Sequence, residues 1–284
     1  MLKKILGLAP KLEADGSYSP SKLALKMGTV DKTDFENISY EKYEGKKSKI
    51  LVIFTEEKNL KMKNGKLFST GNHPVEALLP MLHLQNAGFE FEIATLTGKP
   101  VVFEMWAFPE KDEYVNVIYN KFKSNFEKPK RLQDFIDNSF SKTDSYAAVF
   151  VPGGHGAMLG IPESKNVGKI LNWAHENDIF TISLCHGPGA FLSTTLDNQK
   201  FLYEGYNMAI FPDSVDNKTP MMGYLPGLMP FGLSEKLKSL GANLMNTKMD
   251  KTVCRDRNLI TGSSPLASNE LGKLAAETLL KELK

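Results

Sequence analysis

The sequence predicts an α/β fold with a largely parallel sheet, and three observations predict it. Apolar runs such as Lys49-Ile50-Leu51-Val52-Ile53-Phe54-Thr55 are continuous rather than alternating, as in strands buried on both faces. Segments whose leucines recur at helical spacing stand between such runs. Strand, helix and strand also follow one another over 147–184 at the spacing of a βαβ crossover.

At 284 residues, with 42% hydrophobic and 24% charged side chains, the chain has material for a large core and a second lobe. Residues 1–48 are polar, broken by Pro10, Gly16, Pro20 and Gly28, and read as an irregular arm. The core, spanning 49–284, begins with the strand at 49–55. Pro74 opens a helix over 75–88, with Gly88 as its C-cap and Pro80 expected to kink it or restrict its first turn. A second strand follows at 91–96. The stretch from 100 to about 142 is rich in aromatics and charge, carries helices around 110–126 and 132–140, and reads as an insertion. Together with the arm 1–48 it is expected to form a smaller lobe. The parallel pattern resumes with a strand at 147–151, a helix at 167–177 and a strand at 179–184. Shorter strands are expected at 207–211, 243–246 and 259–260. A final amphipathic helix over 265–283 carries Leu271, Leu274, Ala275, Thr278 and Leu279 on one face.

Composition excludes several classes. The 35 basic and 33 acidic side chains nearly balance, so no nucleic-acid footprint follows. The local clusters Lys46, Lys47, Lys49 and Lys128, Lys130, Arg131 read as solvated surface. The apolar run at 1–8 is too short for a secretory segment, and no run of roughly eighteen apolar residues occurs, which predicts a cytoplasmic protein outside the membrane. Two cysteines, Cys185 and Cys254, make no disulfide framework.

Ligands of open α/β sheets bind beyond the C-terminal strand ends. Three polar constellations fall there. Cys185-His186-Gly187 lies between a strand and a helix expected to begin near Pro188, a turn that resembles a nucleophile elbow. A helix N-terminus and its free amides favour thiolate over thiol. A free cysteine at a strand end is most often a small buried hydrophobe, but the His-Gly-Pro-Gly that follows tips the reading to a catalytic thiolate. His186 would point away from Cys185 in a regular strand; a sharp turn relaxes this and makes it a base or proton relay. Val151-Pro152-Gly153-Gly154-His155-Gly156 is the second constellation, and its glycines suit an oxyanion site built from Gly153, Gly154 and the His186 amide. The third, Gly71-Asn72-His73-Pro74-Val75-Glu76, puts Glu76 in the first turn of a helix, where a carboxylate is ordinary on its own. Cys254 reads as structural and His175 as a polar-face residue, and no histidine pair has zinc spacing.

Five segments then follow one another along nearly the whole chain: Gly71-Asn72-His73-Pro74-Val75-Glu76, Ala87-Gly88-Phe89-Glu90-Phe91-Glu92, Phe150-Val151-Pro152-Gly153-Gly154-His155-Gly156, Ser183-Leu184-Cys185-His186-Gly187-Pro188 and Phe211-Pro212-Asp213. They resemble the ThiJ/PfpI superfamily, and within it the HchA-type branch of glyoxalase III enzymes and protein deglycases. The resemblance implies a flavodoxin-like core with a smaller lobe, a homodimer, and catalysis by Cys185 with His186 and Glu76. In that family the glutamate's carboxyl meets the cysteine sulfur, and an acidic residue from a later loop pairs with the histidine. The matching position is Asp216, with Asp213 the fallback. Members also carry a two-histidine, one-carboxylate metal site. Its matching positions here are Gln85, Glu90 and Phe122, so two of three ligands are missing and neither metal nor other cofactor is expected.

The function so implied is conversion of methylglyoxal to lactate without glutathione, through a hemithioacetal on Cys185 whose alkoxide faces the amides of Gly154 and His186. Partners would be a small 2-oxoaldehyde or glycated protein side chains, the latter as a deglycase. Two rivals remain. A Cys-His-Asp set with an oxyanion hole is also the minimum of a cysteine peptidase or amidase. The branch further suggests a stress-induced holdase for unfolded clients, for which the soft stretch 221–231 is candidate material, although a lid or dimer contact suits that stretch better.

Overall fold

The computed structural model describes residue 7 and residues 9–283; the rest of the apolar run at 1–8 lies outside them. A seven-stranded sheet runs in the order Val253–Asp256, Leu259–Gly262, Phe180–Leu184, Tyr146–Val151, Lys49–Ile53, Glu90–Thr95, Lys130–Arg131. All neighbours are parallel except the hairpin of the first two. The central strands are buried on both faces, which is why their apolar runs do not alternate.

Successive side chains of a strand point to opposite faces, so the sheet divides the core in two. Leu51, Ile53, Val149 and Val151 pack with the helix Lys165–Glu176 on one face. Ile50, Val52, Ala148 and Phe150 pack with Pro74–Asn86 and Ser268–Glu282 on the other. Each buried aliphatic side chain contributes roughly 1.5–3 kcal/mol. The helix Pro74–Asn86 runs on through Pro80, and Gly88 follows it in the left-handed region at φ +94°.

Several elements differ from the sequence reading. The arm is irregular over 29–48 but not over 11–28: Lys11–Leu12 pairs with Tyr18–Ser19, which joins Leu67–Ser69 and Asn59–Lys61 in a small sheet. Lys22–Gly28 is a helix whose first turn is capped by Ser21. Two-residue strands carry no periodicity of their own; pairing with distant segments creates them. The arm is tied down by Thr33 to Asp112, by the Tyr40 hydroxyl 2.9 Å from His83 Nδ1, and by Tyr43 stacked on Phe89. Lys130–Arg131, from within the 100–142 stretch, forms an edge of the main sheet. Asn207–Met208 and Asn243–Leu244 are shorter than expected and pair with each other, apart from that sheet. The segment after Cys185 is a 3-10 helix, Gly187–Asn198, broken at Leu196 and Asp197, not a regular α-helix.

Candidate active site

The loops leaving Lys49–Ile53, Tyr146–Val151 and Phe180–Leu184 meet at one end of the sheet. Cys185 sits there at φ +58°, in the left-handed region that disfavours a side chain by roughly 1–2 kcal/mol. The turn is fixed from both sides, because the Cys185 amide donates to Gly262 O at 2.8 Å and its carbonyl accepts from Phe211 N at 3.0 Å. The bend turns the His186 ring back, so that its Nδ1 lies 3.4 Å from Cys185 Sγ. A straight strand would have parted the two side chains.

His186 Nε2 is 2.8 Å from Asp216 Oδ2, and the other oxygen, Oδ1, is 3.0 Å from His155 Nε2. A carboxylate only accepts, so both Nε2 atoms carry protons and His186 Nδ1 presents its lone pair to the thiol. The imidazoles of His155 and His186 lie 4.2 Å apart. Asp213 stands elsewhere: its carboxylate accepts from Ser234 N at 3.0 Å and Glu235 N at 2.9 Å, capping the helix Leu233–Ser239.

Glu76, buried in the first turn of Pro74–Asn86, brings its carboxyl to Cys185. Gly153 and Gly154 make room for this contact. A Cβ on Gly153 would overlap Glu76 Oε2 and stand 2.8 Å from Cys185 Cβ. Gly154 has φ +98°, and its amide reaches both the Glu76 carboxyl and Sγ. The Gly153 carbonyl accepts from His73 N at 3.0 Å, tying the two loops together.

Electrostatics differ from the helix-dipole expectation for Cys185. Burial and the neighbouring Glu76 push the thiol up, with the Gly154 amide pulling the other way. Burial likewise holds Glu76 well above the usual carboxylate range. Burial would also raise Asp216, but the two histidines facing it, His186 foremost, hold it well below. The resting site therefore pairs a thiol with a protonated Glu76, beside an ionised Asp216.

The cavity next to Cys185 is lined by His73, Glu76, Glu104, His155, His186 and Tyr224. Toward solvent it carries the exposed Met27, Met222 and Met249. Tyr224 is half-buried within the 221–231 stretch, and desolvation followed by the charge of Glu104 raises its hydroxyl well above normal. Burial pulls His73 down to about 3, so it is neutral. His155 as a second partner of Asp216, Glu104 and Tyr224 were not singled out from sequence. Glu104 left one trace, a lone carboxylate inside Val101-Val102-Phe103-Glu104-Met105-Trp106. Cys254 is half-buried on the hairpin, with Sγ 3.6 Å from Asn207 O.

Among the described residues, His155, His186 and Asp216 have metal-ligand spacing, with donor atoms within 4.8 Å of one another. Both Nε2 atoms are engaged by the carboxylate, which makes this a hydrogen-bonded relay rather than an open donor set. The positions Gln85, Glu90 and Phe122 do not fit a two-histidine, one-carboxylate centre. Phe122 packs edge-on against Phe91 at 5.5 Å and offers no lone pair, and Glu90 is exposed at the start of its strand.

No family model matches the chain. It is 46% identical over 276 residues to a protein/nucleic acid deglycase HchA of Staphylococcus aureus, covering 96% of this chain and 94% of that protein. It is 47% identical over 266 residues to the protein of the same name from Escherichia coli O157:H7, covering 94% and 93%. Its fold is similar to that of a glyoxalase III from Candida albicans, with a TM-score of 0.63 at 21% identity over 83% of this chain and 97% of that one. Nearly half of the residues shared over almost the whole length leave one assignment: the chain belongs to the HchA deglycase family.

Proposed function

We propose that the protein is a glutathione-independent glyoxalase III that converts methylglyoxal to lactate and acts as a deglycase on methylglyoxal adducts of side chains. The relatives' shared name, protein/nucleic acid deglycase, supports the reaction class. The observation that carries the mechanism is the chain of contacts Glu76, Cys185, His186 and Asp216. His186 Nδ1 takes the thiol proton as Sγ bonds to the aldehyde carbon, and Asp216 steadies the resulting imidazolium. Glu76 gives its proton to the new alkoxide, which the Gly154 and His186 amides face. Glu76, now a carboxylate, moves the hydrogen of this carbon to its neighbour through an enediol. Water hydrolyses the thioester that results.

Purified protein incubated with methylglyoxal alone is expected to accumulate lactate, and Cys185→Ala to accumulate none. Full turnover by that variant would sink the mechanism. The Cys185, His186, Asp216 chain also supports a second reading, a weak cysteine peptidase. Glu76 separates the two, since an acid against the sulfur serves aldehyde chemistry and amide hydrolysis has no need of it. The same reading takes 1–48 with 100–142 as a smaller lobe on the 49–284 core, in a cytoplasmic homodimer.

A further inference from the structure

Glu104 is a buried carboxyl that the mechanism above leaves unused. It follows Phe103, whose backbone bridges to Asn72, and lines the same cavity as Cys185, Glu76 and His186. Its Oε1 accepts from the Thr70 hydroxyl at 2.5 Å, and the amides of Gly71 and His155 also reach the carboxyl. Oε2 is buried with no hydrogen-bond partner among the described residues, as is His73 Nδ1 on the same cavity wall. An unpaired buried oxygen costs roughly 1–3 kcal/mol, and a ligand in the cavity removes that cost. The groups around Glu104 are Thr70, His73, Glu76, His155, Cys185 and Tyr224. Burial raises Glu104 to about 7 against the pull of His155, Thr70 and the two amides, so it holds a proton up to neutrality.

We propose that Glu104 is a second proton-transfer residue, giving its proton to the ketone oxygen of the Cys185-bound 2-oxoaldehyde and recovering one from the former aldehyde oxygen. The proposal rests on the glyoxalase reading. In the hemithioacetal, the Glu76 carboxylate takes the hydrogen on C1 and the released pair forms the C1=C2 bond. The π pair of the C2 ketone moves to its oxygen, which takes the Glu104 proton and completes the enediol. Glu76 then returns its proton to C2. The O–H pair on C1 becomes the thioester carbonyl, and that proton goes to Glu104. Glu104 ends as it began, no oxidant is consumed, and the lactyl thioester remains for water.

The test uses wild type, C185A, Glu104→Gln and Thr70→Val, with lactate formation followed across pH and Cys185 reactivity followed by iodoacetamide. Glutamine keeps the shape and the Thr70 bond but transfers no proton. We expect E104Q to lower kcat by about 100-fold with iodoacetamide reactivity within twofold of wild type. We expect kcat of wild type to fall above about pH 7, as Glu104 loses its proton, and this limb to be absent in E104Q. Thr70→Val removes a donor that favours the carboxylate, so the limb should move to higher pH. That variant also carries the test should E104Q fail to fold. An E104Q kcat within twofold of wild type, a parallel loss of Cys185 reactivity, or a limb unmoved by T70V would each overturn the proposal. A wild type that makes no lactate removes the glyoxalase reading and Glu104 with it, whereas an active wild type beside a fully active E104Q removes Glu104 alone.

Discussion

Asp216 holds two imidazoles with one carboxylate, and its charge decides which nitrogen of His186 faces the thiol. Asparagine there would keep the shape but offer an amide N–H toward one imidazole, which turns the tautomer and removes the lone pair from Nδ1. Asp216→Asn is therefore expected to lower kcat for lactate by about 10³–10⁴, the scale on which a triad loses its correct tautomer. Cys185 should remain accessible to alkylation, and an unchanged kcat would exclude the relay. Cys185 and His186 were legible in sequence, because they sit in a local signal of strand end and glycines, whereas Glu76 read as an ordinary helix-start carboxylate until the family resemblance singled it out. Glu104 was not legible, nor were the contacts of His155 and Tyr224 although their segments had been singled out, since what brings each to the site is packing between segments far apart in the chain. The state of the thiol was misread for a related reason. A helix-start argument sees the dipole, but the burial and the Glu76 contact that push the thiol up arise only in the fold.

At the scale of elements, Asp213 and Asp216 show how one four-residue helix serves two purposes. Asp213–Asp216 sends its last residue into the site and its first to the N-terminus of Leu233–Ser239, where two amides would otherwise lack partners. Asp213→Ala is expected to cost about 1 kcal/mol of stability, as loss of a helix cap does, with kcat unchanged. Urea unfolding and the lactate assay together check this, and a kcat loss matching that of D216N would mean the two carboxylates are not separate. The residue pattern by itself could not divide these roles, and only the family resemblance put Asp216 first, because both aspartates lie within one short turn. It did yield the long elements: Lys49–Ile53, Tyr146–Val151 and Pro74–Asn86 fall within a few residues of their expected bounds because burial on both faces, or one apolar stripe, writes their pattern. The small sheet of Lys11–Leu12, Tyr18–Ser19, Leu67–Ser69 and Asn59–Lys61 was invisible, since strands of two or three residues exist only through their partners.

Across the whole molecule, the buried titratable groups set how stability responds to acid. His73 is held at about 3 and His83 below its ordinary value of 6.5, both by burial, so each takes up a proton on unfolding below about pH 6.5. Glu104, held at about 7, and Glu76, held well above 4.5, do the opposite and release a proton on unfolding until the pH falls to about 4.5. Stability changes with pH in proportion to the difference in bound protons between the unfolded and native states. Between about pH 6.5 and 4.5 the His73 uptake meets the Glu104 release and cancels it, while the His83 and Glu76 shifts act in opposite senses. Below about 4.5 the unfolded glutamates also hold their protons, and the releases end. Uptake by the histidines then stands alone, joined by Asp216, Asp112 and Glu56, whose carboxyls the fold holds low, so stability should fall steeply. Urea unfolding of the wild type is thus expected to give a plateau over that window and a decline below it. In E104Q one release is gone, leaving an uncompensated uptake worth about 1.4 kcal/mol per pH unit, so the decline should begin near pH 6.5 instead. A plateau that survives in E104Q would mean that Glu104 is already ionised in the folded protein near neutrality, which would also deny it a proton to give to substrate.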